Sequence, residues 1–128
     1  MDDRFEKGMA LFRETYGDAV ADGMAAQIEK GEAFGIEQSR WTAEFVFGEI
    51  WTREALSRKA RSCSVLGMLI AQGAYDEIVY HTKMGISNGL TRAELEEIFY
   101  TALPYCGFPK AALAKKAMLA AFAYLEAA

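Results

Sequence analysis

The sequence predicts an all-α protein of about six or seven helices, with a central antiparallel helix hairpin between Ser57 and Asn88. Three observations lead to this prediction. Apolar residues recur every three or four positions along most of the chain, which is the period of a helix with one buried face. No stretch combines two-residue alternation with flanking turns, as a half-buried strand would. Finally, Asn88-Gly89 is a helix stop, and a capping box made by Thr91 and Glu94 follows it.

Spacing and helix breakers define the first three helices. The first ends at Gly17, and Asp18 is placed to cap the second, which runs to about Lys30. Residues 31–35 read as a loop, and a third helix is expected from about residue 37 to residue 50. The apolar positions of the three helices are, in order, Phe5, Met9, Phe12 and Tyr16; Ala19, Met24 and Ile28; and Trp41 and Phe45.

The next two helices form the hairpin. Ser57 is expected to cap a helix that runs to about Gln72 and is apolar on most of its sides. A helix that is apolar all round belongs at the centre of a core or an assembly. After Gly73 the chain returns in a helix that carries His81 and stops at Asn88.

Two helices complete the chain. One is expected from about residue 92 to residue 103, with Pro104 ending it because proline cannot continue the hydrogen-bond ladder. Gly107 marks a further break. Pro109 then suits the first position of a last, alanine-rich helix that runs to about Leu125.

The composition describes one small, weakly acidic domain over residues 1–128. The 128 residues are 52% hydrophobic, which is more apolar surface than so short a chain covers easily alone, so we expect a homo-oligomer. The net charge is −4, and the basic residues are scattered, which argues against a nucleic-acid partner.

The same sequence argues against a membrane protein and a secreted one. No apolar run approaches the roughly 20 residues of a membrane span, and the first residues lack the pattern of a signal peptide. The two cysteines, Cys63 and Cys106, do not make a disulfide framework. We therefore expect a reduced, cytoplasmic protein.

The chain has one histidine, His81, and it is the first candidate for chemistry. Its ordinary pKa lies near neutrality, and Glu77 lies one helical turn before it, where a carboxylate can orient the imidazole. Ala74, Ile78 and Gly85 are small or apolar, so we expect that side of the ring to be buried, with space beside it at Gly85. The alternative is a surface ion pair with Glu77 or a core histidine whose hydrogen bonds are satisfied.

A basic cluster opens the hairpin. Helical spacing places Arg58 and Arg61 on one side, and a pair of guanidinium groups can hold a dicarboxylate by bidentate contacts. Arg61 is the stronger candidate because its helix continues into the core. The alternative is surface charge, or pairing with Glu49 or Glu54.

Other common sites are missing from the sequence. One histidine without a cluster of histidine and cysteine does not build an ordinary zinc site. There is no glycine-rich phosphate loop, no Ser-His-Asp order and no dinucleotide fingerprint. We therefore expect neither a metal nor a cofactor.

The order of pieces along the chain resembles the carboxymuconolactone decarboxylase family, from about residue 4 to residue 122. The shared pieces are Gly48-Glu49-Ile50-Trp51-Thr52-Arg53; Leu56, Arg58 and Arg61-Ser62; Met68-Leu69; Glu77 and His81; Asn88-Gly89-Leu90-Thr91-Arg92-Ala93-Glu94; and Tyr105-Cys106-Gly107-Phe108-Pro109. The resemblance implies an alkyl hydroperoxidase D-like fold, with His81 in the active-site pocket. Phe47 and Ala112 depart from the family pattern, where many members have Trp and Asn.

The alkyl hydroperoxidase D-like branch uses a different chemistry. Its enzymes carry Cys-x-x-Cys-x-x-x-His on this helix and need a nucleophilic thiolate with a resolving thiol. Counting back from His81, the two cysteine positions hold Ala74 and Glu77, and the expected glutamate falls at Ser62. A dithiol peroxidase is therefore excluded. The two cysteines present are not spaced to replace the motif, and we expect each to pack as a small apolar residue.

The resemblance implies cofactor-free decarboxylation of 4-carboxymuconolactone to an enol-lactone in aromatic catabolism, on a small carboxylate substrate and in a trimer or a hexamer. The implied catalytic residues are His81 as proton donor or oxyanion partner and Glu49 and Glu77 as orienting groups, and the implied substrate-binding residues are Arg61, Arg58 and Trp51. Two alternatives stay open. One is an oligomeric binding protein without catalysis, and the other is a relative that acts on a different lactone or keto acid.

Overall fold

A computed structural model describes residues 2–127, and this part of the chain contains seven α-helices, one π-helix and no strand. The elements are α1 (Arg4–Tyr16), α2 (Asp18–Lys30), α3 (Ile36–Trp41), π1 (Thr42–Ile50), α4 (Arg58–Gln72), α5 (Tyr75–Ser87), α6 (Arg92–Cys106) and α7 (Phe108–Ala127). The predicted all-α fold is confirmed. Among residues 2–127 no helix has the length and apolar character that crossing a membrane requires.

The chain forms two compact units that divide between Leu56 and Ser57. The first unit contains α1, α2, α3 and π1, and the second contains α4 to α7. The expected single domain over residues 1–128 stays a prediction.

In the first unit α1 packs backbone to backbone against π1. A Cβ atom at Gly8 would collide with the carbonyl oxygen of Ala43, and a Cβ atom at Gly48 would collide with the carbonyl oxygen of Arg4. The two helices therefore approach more closely than side chains at these positions would allow. A small core lies around this contact, made of buried Met9, Ala21 and Ala43 with Phe5, Phe12, Met24 and Ala25 partly buried beside it.

The third predicted helix is two elements. The α-helical register ends at Trp41, and the next nine residues take the wider π register, in which each turn holds one more residue. Ala43 and Phe47 are buried, whereas Trp41 is 61% and Phe45 54% exposed. Both aromatic residues that the sequence placed on this helix are therefore exposed, whereas Phe47 is buried. The Phe47 ring instead packs edge-on against Phe12, with centroids 5.4 Å apart.

In the second unit α4 and α5 form the predicted hairpin. Gly73 joins them in a left-handed conformation with φ of 68°, and its N–H donates to the Ile70 carbonyl oxygen at 3.0 Å. This is a helix end that glycine makes without strain. The core around the hairpin contains Leu66, Ile70, Ile78, Leu90, Leu95, Ala102, Ala111, Ala114, Ala117 and Met118. The small residues of α7 let it lie close to α5 and α6.

Two of the predicted helix starts are confirmed atom by atom. The Ala60 N–H donates to Ser57 Oγ at 3.1 Å, so Ser57 caps α4. The Glu94 N–H donates to Thr91 Oγ1 at 3.1 Å, and the Thr91 N–H donates to Glu94 Oε1 at 3.0 Å. Together these two bonds are the capping box at the start of α6.

Asp18 does not cap α2. Gly17 is the N-cap residue, and Asp18 is the first helical residue. Its carboxylate accepts a hydrogen bond from Arg13 at 3.0 Å. The prediction was wrong because an arginine from the preceding helix reaches the carboxylate that would otherwise turn toward the backbone.

The boundary between α6 and α7 also differs from the prediction. α6 continues through Pro104 and ends at Cys106, and α7 begins at Phe108, so Pro109 is its second residue. Pro104 removes one backbone donor, but the last turn keeps a bond in which the Gly107 N–H donates to the Leu103 carbonyl at 3.2 Å. Gly107, with φ of 90°, then ends the helix.

We expect Gly48→Ala to lower the free energy of unfolding by about 1–3 kcal/mol, because the new methyl group must displace the backbone of α1. Gly23→Ala is the matched control, since a Cβ atom there meets nothing within 4 Å, and it should raise stability by up to about 1 kcal/mol through helix propensity. Urea unfolding measures both. Equal stabilities of the two variants would contradict the close contact between α1 and π1.

Candidate active site

His81 lies on α5 in the second unit and is mostly buried, with its side chain 17% exposed. Its Nδ1 atom is buried, and the neighbouring Ile78 and Thr82 are fully buried. The Nε2 atom lies 4.0 Å from Oε2 of Glu77, whose side chain is 57% exposed. The structure therefore places these two residues together, with the imidazole inside and the carboxylate at the surface.

Burial lowers the pKa of His81 below the ordinary histidine value. The cause is desolvation, since burial removes hydration water that stabilises the charged imidazolium more than the neutral ring. The ion pair with Glu77 acts in the opposite direction, but that carboxylate is exposed and lies at the limit of ion-pair distance, so water screens it. Burial decides the balance, and the imidazole is neutral at pH 7 with one ring N–H to donate.

The expected space beside the imidazole at Gly85 is not there. A Cβ atom at Gly85 would lie 2.9 Å from Cδ1 of Leu90 and 3.7 Å from Cδ1 of Leu66. The Leu90 N–H also donates to the Gly85 carbonyl oxygen at 2.8 Å. The missing side chain therefore makes room for Leu90, which closes the turn after α5 over this glycine.

The two candidate arginines lie on the first turns of α4. Arg58 is exposed, and Arg61 is half-buried with its Nε atom buried. Beside Arg61, the fully buried Ser62 accepts a hydrogen bond at Oγ from Nδ2 of Asn88 at 2.9 Å. This bond places the turn of α4 that carries Arg61 against the C-terminal end of α5.

Within the basic cluster, Lys59 has a partner on another helix. Nζ of Lys59 lies 3.0 Å from Oε2 of Glu94, which ties α4 to the start of α6. That lysine and the backbone N–H of Thr91 together hold the pKa of Glu94 below its ordinary value, the N–H contributing most.

Glu49 and Trp51 lie in the first unit. Glu49 is near the end of π1, and its Oε2 accepts from Nη1 of Arg4 at 3.4 Å. Arg4 is itself held by Asp2 at 2.9 Å, and its hydrogen bonds lower the pKa of Asp2 to about 2. The partner of Glu49 was missed, since nothing in the spacing links residue 4 to residue 49. Trp51 is 3% exposed and fits an anchoring aromatic residue at a helix end.

An open cavity of about 820 Å³ lies between α4 and α6, and His81 is not part of its lining. The walls are mostly apolar, while Glu94 and Glu97 add carboxylates that would repel a dianionic ligand. Cys63 and Cys106 both line it. Cys63 is exposed, so the expectation that it packs as a small apolar residue is wrong, whereas Cys106 is partly buried against the core. Cys63 faces the groove between the two helices instead of the hairpin core.

Two groupings result from these placements. One is His81 with Glu77, and the other is Arg61 with the bond between Ser62 and Asn88. The roles given to these residues, and to Arg58, Glu49 and Trp51, stay predictions. Among residues 2–127 no group of three histidine, cysteine, aspartate or glutamate side chains is placed to hold a metal ion.

Comparison with known proteins gives a family match and two relatives. The sequence model of the carboxymuconolactone decarboxylase family matches residues 37–124. The nitrosuccinic acid decarboxylase of Metarhizium robertsii is 30% identical over 105 residues, which cover 82% of this chain and 71% of the relative. The 4-carboxymuconolactone decarboxylase of Acinetobacter baylyi is 28% identical over 106 residues, which cover 83% of this chain and 77% of the relative.

Proposed function

Because the chain belongs to the carboxymuconolactone decarboxylase family, we propose that it removes CO2 from a small activated dicarboxylic acid without a cofactor, with 4-carboxymuconolactone as the reference substrate. Two relatives named as decarboxylases support a decarboxylase at the level of the family. The observation that carries the proposal is the state of His81. It is a mostly buried, neutral imidazole, which is suited to stabilise a developing negative charge.

The substrates named for the two relatives share one chemical property. In 4-carboxymuconolactone a C=C bond joins the carbon that bears the departing carboxylate to the lactone carbonyl. When the bond to CO2 breaks, its electron pair passes onto the carbonyl oxygen and gives an oxyfuran-like anion. In nitrosuccinic acid the nitro group beside the carboxylate accepts the pair and becomes a nitronate. In both acids the electron sink is part of the substrate, and a second carboxylate stays behind.

The neutral state of His81 favours one of its two expected roles. A neutral imidazole is a weak general acid, but its N–H can donate to the oxygen that gains charge as CO2 leaves. A donor placed in this way, where water is largely excluded, contributes about 3 kcal/mol to transition-state stabilisation. Glu77, at 4.0 Å from Nε2, is assigned to orient the ring. The resulting anion then takes a proton from water at the carbon that lost CO2, which completes the reaction.

Arg61 is assigned to the carboxylate that stays on the substrate. Its guanidinium can form two parallel hydrogen bonds with a carboxylate, and its half-buried position strengthens them. The exposed Arg58 adds attraction for an anion at longer range. The roles that the family resemblance implies for Glu49 and Trp51, which lie in the first unit, stay predictions. A lactone acid from aromatic-ring degradation fits this assignment, and so does a nitro-substituted dicarboxylate.

We also propose a homo-oligomer, either a trimer or a dimer of trimers. Large apolar side chains of the second unit are solvent-exposed, among them Met68 at 60%, Phe108 at 71% and Tyr105 at 87%. Large apolar side chains that are exposed in a single chain are often covered in an assembly. Light scattering at micromolar concentration should give a mass of three or six chains, and a stable monomer would contradict this proposal.

We expect His81→Gln to lower kcat by on the order of 10²-fold with a smaller change in KM, because glutamine keeps a donor but loses the ring geometry. Arg61→Ala should raise KM at least as much as it lowers kcat, since it removes binding of the retained carboxylate. Steady-state decarboxylation of 4-carboxymuconolactone and of nitrosuccinic acid measures both effects.

Asp76→Asn is the control, because it removes an exposed charge of α5 that has no role in the proposal. It should leave both constants within about twofold, the scale of a surface charge effect. If His81→Gln turned over either acid at the wild-type rate, at a matched folded fraction, the histidine would be removed from the mechanism.

A further inference from the structure

We infer that the hydrogen bond between Ser62 and Asn88, which we name the hairpin clamp, positions Arg61 for the carboxylate that the substrate retains. Asn88 and Ser62 are then positioning residues that select dicarboxylic acids. The inference rests on the proposed function, because it assumes the binding role of Arg61.

The hairpin clamp joins two helices at a buried point. Asn88 caps the C-terminal end of α5, and its Nδ2 donates to Ser62 Oγ at 2.9 Å, across 26 positions of the chain. Ser62 is fully buried. A buried hydroxyl that loses its partner costs more than an exposed one, because water does not replace the bond. The bond therefore fixes how far α4 slides along α5.

A second contact holds the same turn of α4 from another side. Lys59 pairs with Glu94 at 3.0 Å, and Glu94 is held in place by the capping box with Thr91. Between the two contacts, the N–H of Leu90 donates to the Gly85 carbonyl and closes the connection from α5 to α6. The lysine pair is half-exposed and therefore weak. The hairpin clamp is therefore the stronger of these two polar contacts.

The hairpin clamp sets the position of Arg61 relative to His81. Arg61 directly precedes Ser62, so the backbone from which its side chain extends is fixed by the bond to Asn88. Asn88 lies seven residues after His81 on α5, which is two helical turns on the same face and about 10 Å along the axis. One helix therefore carries the imidazole and also the group that fixes the arginine.

The test is a double-mutant cycle made of Ser62→Ala, Asn88→Ala and the double variant that carries both substitutions. We measure kcat and KM for nitrosuccinic acid and the Kd of succinate, an unreactive dicarboxylate, by titration calorimetry. Each single variant should raise KM and Kd by on the order of tenfold and change kcat by less than about threefold, since binding of the retained carboxylate is common to ground and transition states. The pair should resemble either single variant, because both remove one bond.

Thr82→Val is the matched control. It removes another buried hydroxyl of α5, whose Oγ1 donates to the Ile78 carbonyl of its own helix at 2.6 Å. It should lower the melting temperature while leaving KM and Kd within about twofold, because it leaves the register between α4 and α5 unchanged. Both single clamp variants are expected to fold, since Ser62 can turn to a carbonyl of its own helix and Asn88 is partly exposed to water.

The outcomes separate this inference from the proposed reaction. If the wild type turns over nitrosuccinic acid but Asn88→Ala leaves KM and Kd unchanged, the role of the hairpin clamp is overturned and the reaction is not. The same conclusion follows if Thr82→Val raises KM as much as the clamp variants do. If the wild type binds succinate tightly and the Asn88→Ala variant binds it weakly, but the wild type turns over neither 4-carboxymuconolactone nor nitrosuccinic acid, the clamp is supported and the proposed reaction is overturned. Absence of both turnover and succinate binding would overturn the two together.

Discussion

The packing of α5 against α4 and α7 is the constraint on which the candidate site depends. Ile78 and Leu66 are fully buried in this contact, and because His81 is on the same helix, most of its ring is removed from water as well. Without that burial the histidine would titrate near its ordinary pKa beside an exposed glutamate. With it, the imidazole is neutral at pH 7, and a hydrogen bond that it donates acts where the dielectric constant is low.

The proposed reaction requires this buried environment and a fixed distance between a hydrogen-bond donor and a cation of the protein. Since the electron sink is in the substrate, the chain needs one donor toward the developing anion and one cation for the retained carboxylate. In the proposed function, the hairpin supplies both from α4 and α5, which pack together through an apolar core. Sites built on helices hold such distances better than sites on loops.

The sequence predicted several features that depend on local chemistry. The caps at Ser57 and Thr91 and the glycine end at Gly73 follow from side chains that bond within a few residues, and the structure confirms each. Features that depend on distant partners were missed or wrong. The π register of Thr42–Ile50 is invisible to apolar spacing, and Leu90 fills the gap at Gly85 only after the chain has turned back. Ser62 and Asn88 were noticed as motif residues, but their bond requires the folded hairpin.

The pH dependence of kcat/KM for 4-carboxymuconolactone tests whether the neutral imidazole of His81 is the active form, because kcat/KM reports the protonation state of the free enzyme. If the neutral imidazole of His81 is the active form, kcat/KM is constant above pH 7. As the pH drops through the lowered pKa of His81, kcat/KM falls, and well below that pKa it falls about tenfold for each pH unit. The His81→Gln variant does not show this fall. A kcat/KM that rises as the pH drops from 8 to 6 would mean that the imidazolium is the active form, and would contradict the account.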